Sequence, residues 1–143
     1  FEQALASVLD RQGDRGGAHE VDEVDRRGVG RGGEVDVAEL YDCYTFTALL
    51  TLEDYGFCAK GEGGAFAAGG ALAPGGSLPV NTGGGQLSSY YLWGMTPLSE
   101  AVLQARGEAG ERQVPRHDIV LVSGNGGILD HHSTLVLSPH PHT

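Results

Sequence analysis

At 143 residues the chain is one domain or part of one, with room for a modest core. Its 19 acidic against 9 basic residues give a formal charge of −10 and a pI near 4.8, which provides no basic stripe for nucleic acid and repels anionic membrane faces. Cys43 and Cys58 form no CxxC pair and no apolar run approaches eighteen residues, so neither a disulfide framework, a membrane span nor a secretory leader is expected, and a cytoplasmic protein is.

The chain opens on "FEQALASVLDRQG", which predicts a short helix with Leu5, Val8 and Leu9 on one face and Gly13 as its stop. Residues 13–34 alternate Gly, Arg, Asp, Glu and Val without helical or strand period. A core cannot be built from such a stretch, so residues 1–34 are expected to be a short helix followed by an atypical solvated linker. Asp36 and Glu39 then stand three apart ahead of an apolar run, a capping-box pattern, and Gly56 suits the position after a helix end. One helix over about residues 37–55 is predicted, its first turn carrying Tyr41, Asp42, Cys43 and Tyr44. A Gly/Pro-rich passage over residues 60–89 reads as loop with a short extended piece at Leu78 to Val80. "TPLSEAVLQARG" predicts a helix with Thr96 as N-cap, Pro97 at N1 and Gly107 as the stop. Finally "DIVLV" and "STLVL" predict two buried strands around the turn "SGNGG". Helices and strands in this mixture give an α/β fold.

Local motifs for ions and phosphates are weak. His131 and His132 are adjacent, so on a strand they point to opposite faces and do not share one ion, and no metal site is expected. "GEGG" and "NTGGGQ" match neither a Walker A nor a dinucleotide-binding pattern. They are better suited to loops in which backbone makes a close approach.

Four stretches in order, "ELYDCYTFTALLTLEDYGFCAKGEGGAF", "GGSLPVNTGGGQLSSYYLWGM", "EAVLQARGEAGERQV" and "VSGNGG", carry a resemblance to the C-terminal half of the thiolase superfamily. The branch it resembles is that of the sterol carrier protein x thiolases and the lipid-transfer-protein-like aldolases of steroid side-chain degradation. The match covers about residues 35–138, so residues 35–143 are expected to form a partial thiolase-like C-terminal domain, a mixed sheet with packed helices and long Gly-rich loops. The half that carries the nucleophilic cysteine in that superfamily has no counterpart in this sequence.

Three departures fall in the catalytic constellation that the resemblance implies. Where the sterol-carrier thiolases have a motif resembling His-Asp-Cys-Phe, this chain has Tyr41 in place of the histidine. The Gly-His-Pro loop aligns by its asparagine, Asn81, so that Tyr91 stands where the second histidine would. The Cys-x-Gly element falls at "VSGNGG", with Ser123 or a neighbour and no cysteine. Cysteine, with a reference pKa of about 8.5, suits attack on a thioester and proton transfer at carbon. A phenol, near pKa 10, suits donation to a developing oxyanion or movement of an alcohol proton. Retro-aldol cleavage of a β-hydroxyacyl thioester asks for the latter set.

The resemblance therefore implies an aldol lyase acting on a β-hydroxyacyl-CoA, a steroid side-chain thioester, with the CoA thioester as substrate and no cofactor. It implies as well an OB-fold, zinc-ribbon-type partner protein and a homodimer. Tyr41 and Tyr91 are the expected acid/base and enolate-stabilising pair, either residue fitting either role. Asn81, Gly84, Gly85, Gly124, Asn125, Gly126 and Gly127 are the expected substrate contacts, the last four through backbone amides. Two alternatives stand beside this reading: an acyl-CoA acetyltransferase of the sterol carrier type, and a non-catalytic thiolase-like half that only binds a partner.

Overall fold

The computed structural model describes residues 35–127 and 129–140. The predicted N-terminal helix and the linker over residues 13–34 lie outside the described residues.

Burial is continuous from Val35 to Asp42, and this stretch is not the start of a helix. Val37–Glu39 forms strand β1, and helix α1 begins only at Thr45, running Thr45–Asp54. The capping-box pattern misleads because both carboxylates bond at long range: Asp36 Oδ2 accepts from the Ile119 N–H at 3.0 Å, and Glu39 Oε1 accepts from Thr82. A strand with both faces covered reads as an unbroken buried run. Gly56 does end α1, with φ +78.

The Gly/Pro-rich passage holds more order than a loop. Two short helices, α2 (Gly63–Ala68) and α3 (Gly85–Ser88), interrupt it, and Val80 bridges to Ala38 beside β1 at the predicted extended piece. Helix α4 runs Met95–Ala105, starting two residues before the predicted first position, Pro97. Thr96 is not its cap. Gly94 holds that position, while the Thr96 hydroxyl donates to the Tyr90 carbonyl and accepts from the Leu92 N–H.

Strands β2 (Val120–Gly126) and β3 (His131–Leu137) pair antiparallel, and β1 pairs parallel to β2, giving the order β1-β2-β3. The sheet is mixed, as an α/β reading requires. "SGNG" is strand rather than turn, since Ser123 to Gly126 pair with Thr134 to His131 and the connection comes later. β3 is not buried on both faces but alternates exposed and half-buried residues, because no described element covers its outer side.

Helices lie on both faces of the sheet. Ala38, Leu40 and Leu121 face one way, against Leu52 and Leu49 of α1 and Phe66 of α2. Val37, Val120 and Val122 face the other, against Ala101 and Ala105 of α4, whose small side chains let the helix sit close to the sheet. The period-2 alternation of adjacent strand residues sorts them between the two cores. Among the described residues no helix is long and apolar enough to cross a membrane.

Candidate active site

The segment leaving β1 is fastened to the loop of residues 79–86 at almost every residue. Ala38 N–H donates to the Pro79 carbonyl and Asn81 N–H returns a bond to the Ala38 carbonyl, both at 3.0 Å. Leu40 N–H donates to Asn81 Oδ1 at 2.6 Å. Thr82 N–H donates to Glu39 Oε1 at 3.1 Å, with the Thr82 hydroxyl 2.7 Å from the same oxygen, and Gln86 N–H donates to Asp42 Oδ1 at 2.8 Å. Each side-chain acceptor here satisfies a backbone donor that a longer strand pair would otherwise have satisfied.

Gly85 makes the last of these contacts feasible. Its φ is +60, and a Cβ there would lie 2.2 Å from Asp42 Oδ2, so the loop reaches the Asp42 carboxylate only without a side chain. Asp42 is buried and its carboxylate serves the loop. Cys43, half-buried, contacts the Thr47 hydroxyl at 3.5 Å.

The outcome of this fastening is a contact across 50 residues: the Tyr41 and Tyr91 phenols meet at 3.0 Å, one donating to the other. Their surroundings differ. Tyr41 is 8% exposed and Tyr91 55%. Burial, and then the hydrogen bond with Tyr91, pushes the Tyr41 phenol up to about 12, so it is protonated at neutral pH. Ser123 is fully buried, and its Oγ accepts the Tyr41 N–H at 3.3 Å. That hydroxyl helps to hold the Tyr41 backbone.

The predicted glycine-rich donors divide into two sets. Gly84 and Gly85 lie at the start of α3, beside Asp42. Gly124, Asn125 and Gly126 are strand residues, and in an antiparallel ladder successive N–H groups alternate sides, so only alternate amides point away from β3. Gly127 lies just past the strand, with φ +64. Asn125 is held by a chain of side chains: Thr134 donates to Tyr55 at 2.5 Å, Tyr55 to His132 Nε2 at 2.9 Å, and His132 Nδ1 to Asn125 Oδ1 at 2.6 Å. Burial holds the His132 imidazole below its ordinary range, in keeping with this neutral, twice-bonded ring. His131 is exposed on the opposite face of the strand.

Beneath the loop lies a second cluster that local sequence patterns do not mark. Glu39 is 1% exposed, and its neighbour across the Thr82 hydroxyl is Glu100, whose Oε1 lies 3.0 Å from that hydroxyl. Burial opposes the charge on Glu100, but hydrogen bonds from Arg112, Gln104 and Thr82 outweigh it and hold the carboxyl below its usual range. For Glu39 burial dominates, with the charges of Glu100 and Asp42 adding to it against the Thr82 hydrogen bonds, and the carboxyl is raised to about 8. The two line a cavity of about 180 Å³ together with Gly83, Gly85, Tyr90 and Arg112.

Along the segments that carry the phenols, large apolar side chains are exposed. Tyr44, Phe46, Leu87, Tyr90, Leu92, Trp93 and Met95 are all exposed.

Comparison with known proteins agrees with this geometry at the level of family. The family described as Thiolase C-terminal domain-like matches residues 26–139. The acetyl-CoA acetyltransferase of Methanothermobacter thermautotrophicus is 39% identical over 98 residues, 66% of this chain and 26% of that protein. The 17-hydroxy-3-oxo-4-pregnene-20-carboxyl-CoA lyase of Mycobacterium tuberculosis is 42% identical over 93 residues, 65% of this chain and 24% of that protein. Among solved structures, the Ltp2-ChsH2(DUF35) aldolase superposes with a TM-score of 0.67 at 41% identity, over 73% of this chain and 26% of the other. The chain thus spans about a quarter of the length of these relatives. On the family match and the mixed sheet with its flanking helices, the chain belongs to the thiolase C-terminal domain-like family.

Proposed function

We propose that this chain is the phenol-bearing part of a thiolase-fold aldol lyase that cleaves a β-hydroxyacyl-CoA, with a steroid side-chain thioester as substrate. The observation that carries the reading is the 3.0 Å contact between Tyr41 and Tyr91. In the reaction the β-hydroxyl loses its proton, the Cα–Cβ bond breaks, and the electron pair enters the thioester as an enolate. A ketone leaves and the α-carbon is reprotonated. Tyr41, held protonated by burial, donates to the enolate oxygen as its charge develops. Tyr91, half open to solvent, takes the hydroxyl proton, and its contact with Tyr41 passes protons between the two roles.

In this reading residues 35–143 form the thiolase-like domain, and residues 1–34 stand outside it. Asn81, the amide of Gly85 and those amides among Gly124 to Gly127 that point away from β3 hold the thioester, while Gly84, whose N–H goes to the Asn81 carbonyl at 2.8 Å, shapes the loop, and Asn125 adds an Nδ2 that has no partner among the described residues. No cofactor takes part. Exposed aromatic residues around the phenols are the face toward the rest of the thiolase fold, a second subunit and an OB-fold, zinc-ribbon-type partner. Such a partner is supported by the likeness to the Ltp2-ChsH2(DUF35) aldolase at 41% identity.

The test is product analysis on the complete protein with its partner. Given a β-hydroxyacyl-CoA, it should release a ketone and a shortened acyl-CoA. Given a β-ketoacyl-CoA and free CoA, it should not carry out thiolysis. Thiolysis would place the protein with the acetyltransferases instead.

A further inference from the structure

Gln86 touches both pieces of backbone that carry the phenols. It is 9% exposed, one residue past Gly85. Its N–H donates to Asp42 Oδ1 at 2.8 Å, beside Tyr41, and its Nε2 donates to the Trp93 carbonyl at 2.7 Å, two residues past Tyr91. Trp93 has φ +47, a conformation that a bulky L-residue holds only when its surroundings enforce it. The same carbonyl accepts from Thr96 N–H at 3.1 Å, and the Thr96 hydroxyl bonds Tyr90 and Leu92, so several bonds tie this loop to α4 while the Gln86 amide ties it toward the Tyr41 side.

A primary amide has two N–H donors. One goes to Trp93, and the amide also lies against the Tyr41 phenol, where it favours ionisation in opposition to burial and Tyr91. Its Oε1 is shielded from solvent and accepts from no described group. A buried amide with an unsatisfied oxygen is costly in isolation, and here its donors offset that cost.

We propose that Gln86 is the positioning residue of the tyrosine pair: its amide pins the Tyr90–Gly94 loop to the Tyr41–Asp42 turn and so sets the separation of the two phenols. The kinetic part of this proposal rests on the function proposed above, and the positional part does not. Gln86 need not touch substrate.

Trp93 is the chain's one tryptophan, and its fluorescence anisotropy reads the loop directly. In Gln86→Met, which keeps length and loses the donors, anisotropy should fall. In the complete protein kcat should fall about 10- to 100-fold, the scale of a roughly 1 Å misplacement, with KM within about twofold. Gln86→Glu supplies the rescue. Its carboxylate repels the Trp93 carbonyl and should free the loop, whereas the protonated acid can donate and should restore anisotropy as pH falls, a pH response absent from the unaltered chain. This second variant also decides the matter if the methionine variant does not fold. Unchanged anisotropy in both variants would overturn the proposal. Loss of turnover in Tyr41→Phe and Tyr91→Phe with normal kcat in Gln86→Met would overturn it as well, leaving the functional reading intact. Full turnover in the two Phe variants would instead remove the functional reading, and the anisotropy would still decide the role of Gln86.

Discussion

The Glu39 carboxyl should make the stability of this protein fall as the pH rises from mildly acidic to mildly alkaline. The hydrogen bonds around Thr82 show why. Its hydroxyl has one proton, its oxygen accepts from Gln104 Nε2 at 2.9 Å, and both Glu39 Oε1 and Glu100 Oε1 lie within bonding distance. One hydroxyl cannot donate to two carboxylates at once. With Arg112 securing the charge on Glu100, the arrangement is complete when Glu39 holds its own proton. Its carboxyl is raised from 4.5 to about 8, so between these values the folded chain keeps a proton that the unfolded chain releases. The contribution is fully present below pH 4.5 and lost as pH rises through about 8; at about 1.4 kcal/mol per unit its full size is on the order of 5 kcal/mol. Glu39→Gln mimics the neutral acid and should remove this slope.

Denaturant midpoints at several pH values between 4.5 and 8 provide the assay. His132, held below its ordinary range, acts in the opposite direction, because stability rises as the unfolded imidazole loses its proton near 6.5. Subtracting the variant's profile from that of the unaltered chain removes that term. A difference that stays flat across the window would refute the reasoning, and so would a glutamine variant destabilised equally at every pH.

Two glycines should respond differently to alanine. Gly85→Ala, with φ +60 and a Cβ 2.2 Å from Asp42 Oδ2, should lower stability by about 1–3 kcal/mol, seen as a lower urea midpoint at unchanged slope. Gly124→Ala meets only the Ser133 Oγ, at 2.5 Å, which can rotate away, so its midpoint should move little. Tyr55→Phe leaves the His132 and Thr134 partners one bond short and should cost about 1–2 kcal/mol, with the His132 titration followed by NMR. An unchanged His132 titration would mean that the Tyr55 hydroxyl has no hold on the ring.

Legibility in the sequence followed how local each determinant was. Helix α4 announces itself through Thr96 and Pro97 at its start and Gly107 at its end, each acting within about a turn of the terminus it marks, although Thr96 turned out to bond the preceding loop. The β2–β3 pair was visible from its apolar runs, but its connection was placed too early, because glycines at 124 and 126 resemble a turn when they in fact lie within paired strands. β1 was lost for a different reason. Asp36 and Glu39 imitate a cap, and only their distant partners, Ile119 and Thr82, reveal their use. No periodicity brings residues 41 and 91 together; homologous motifs singled them out, and the backbone fastening between residues 38–42 and 79–86 supplies the physical cause of their contact. Thr82, Gln86 and Glu100 went unmarked and Glu39 was marked only as a cap, since their pattern exists only across the fold.

The central claim is that Tyr41 and Tyr91 work as one proton-exchanging unit, and a mutant cycle on turnover tests it most directly. In the complete protein with its partner, Tyr41→Phe and Tyr91→Phe keep the rings and remove the hydroxyls that meet at 3.0 Å. Each should lower kcat for a β-hydroxyacyl-CoA by roughly 10²- to 10⁴-fold with little change in KM, and the double variant should be scarcely slower than the worse single one. Near-normal rates in either single variant, or fully multiplicative losses in the double, would contradict the account.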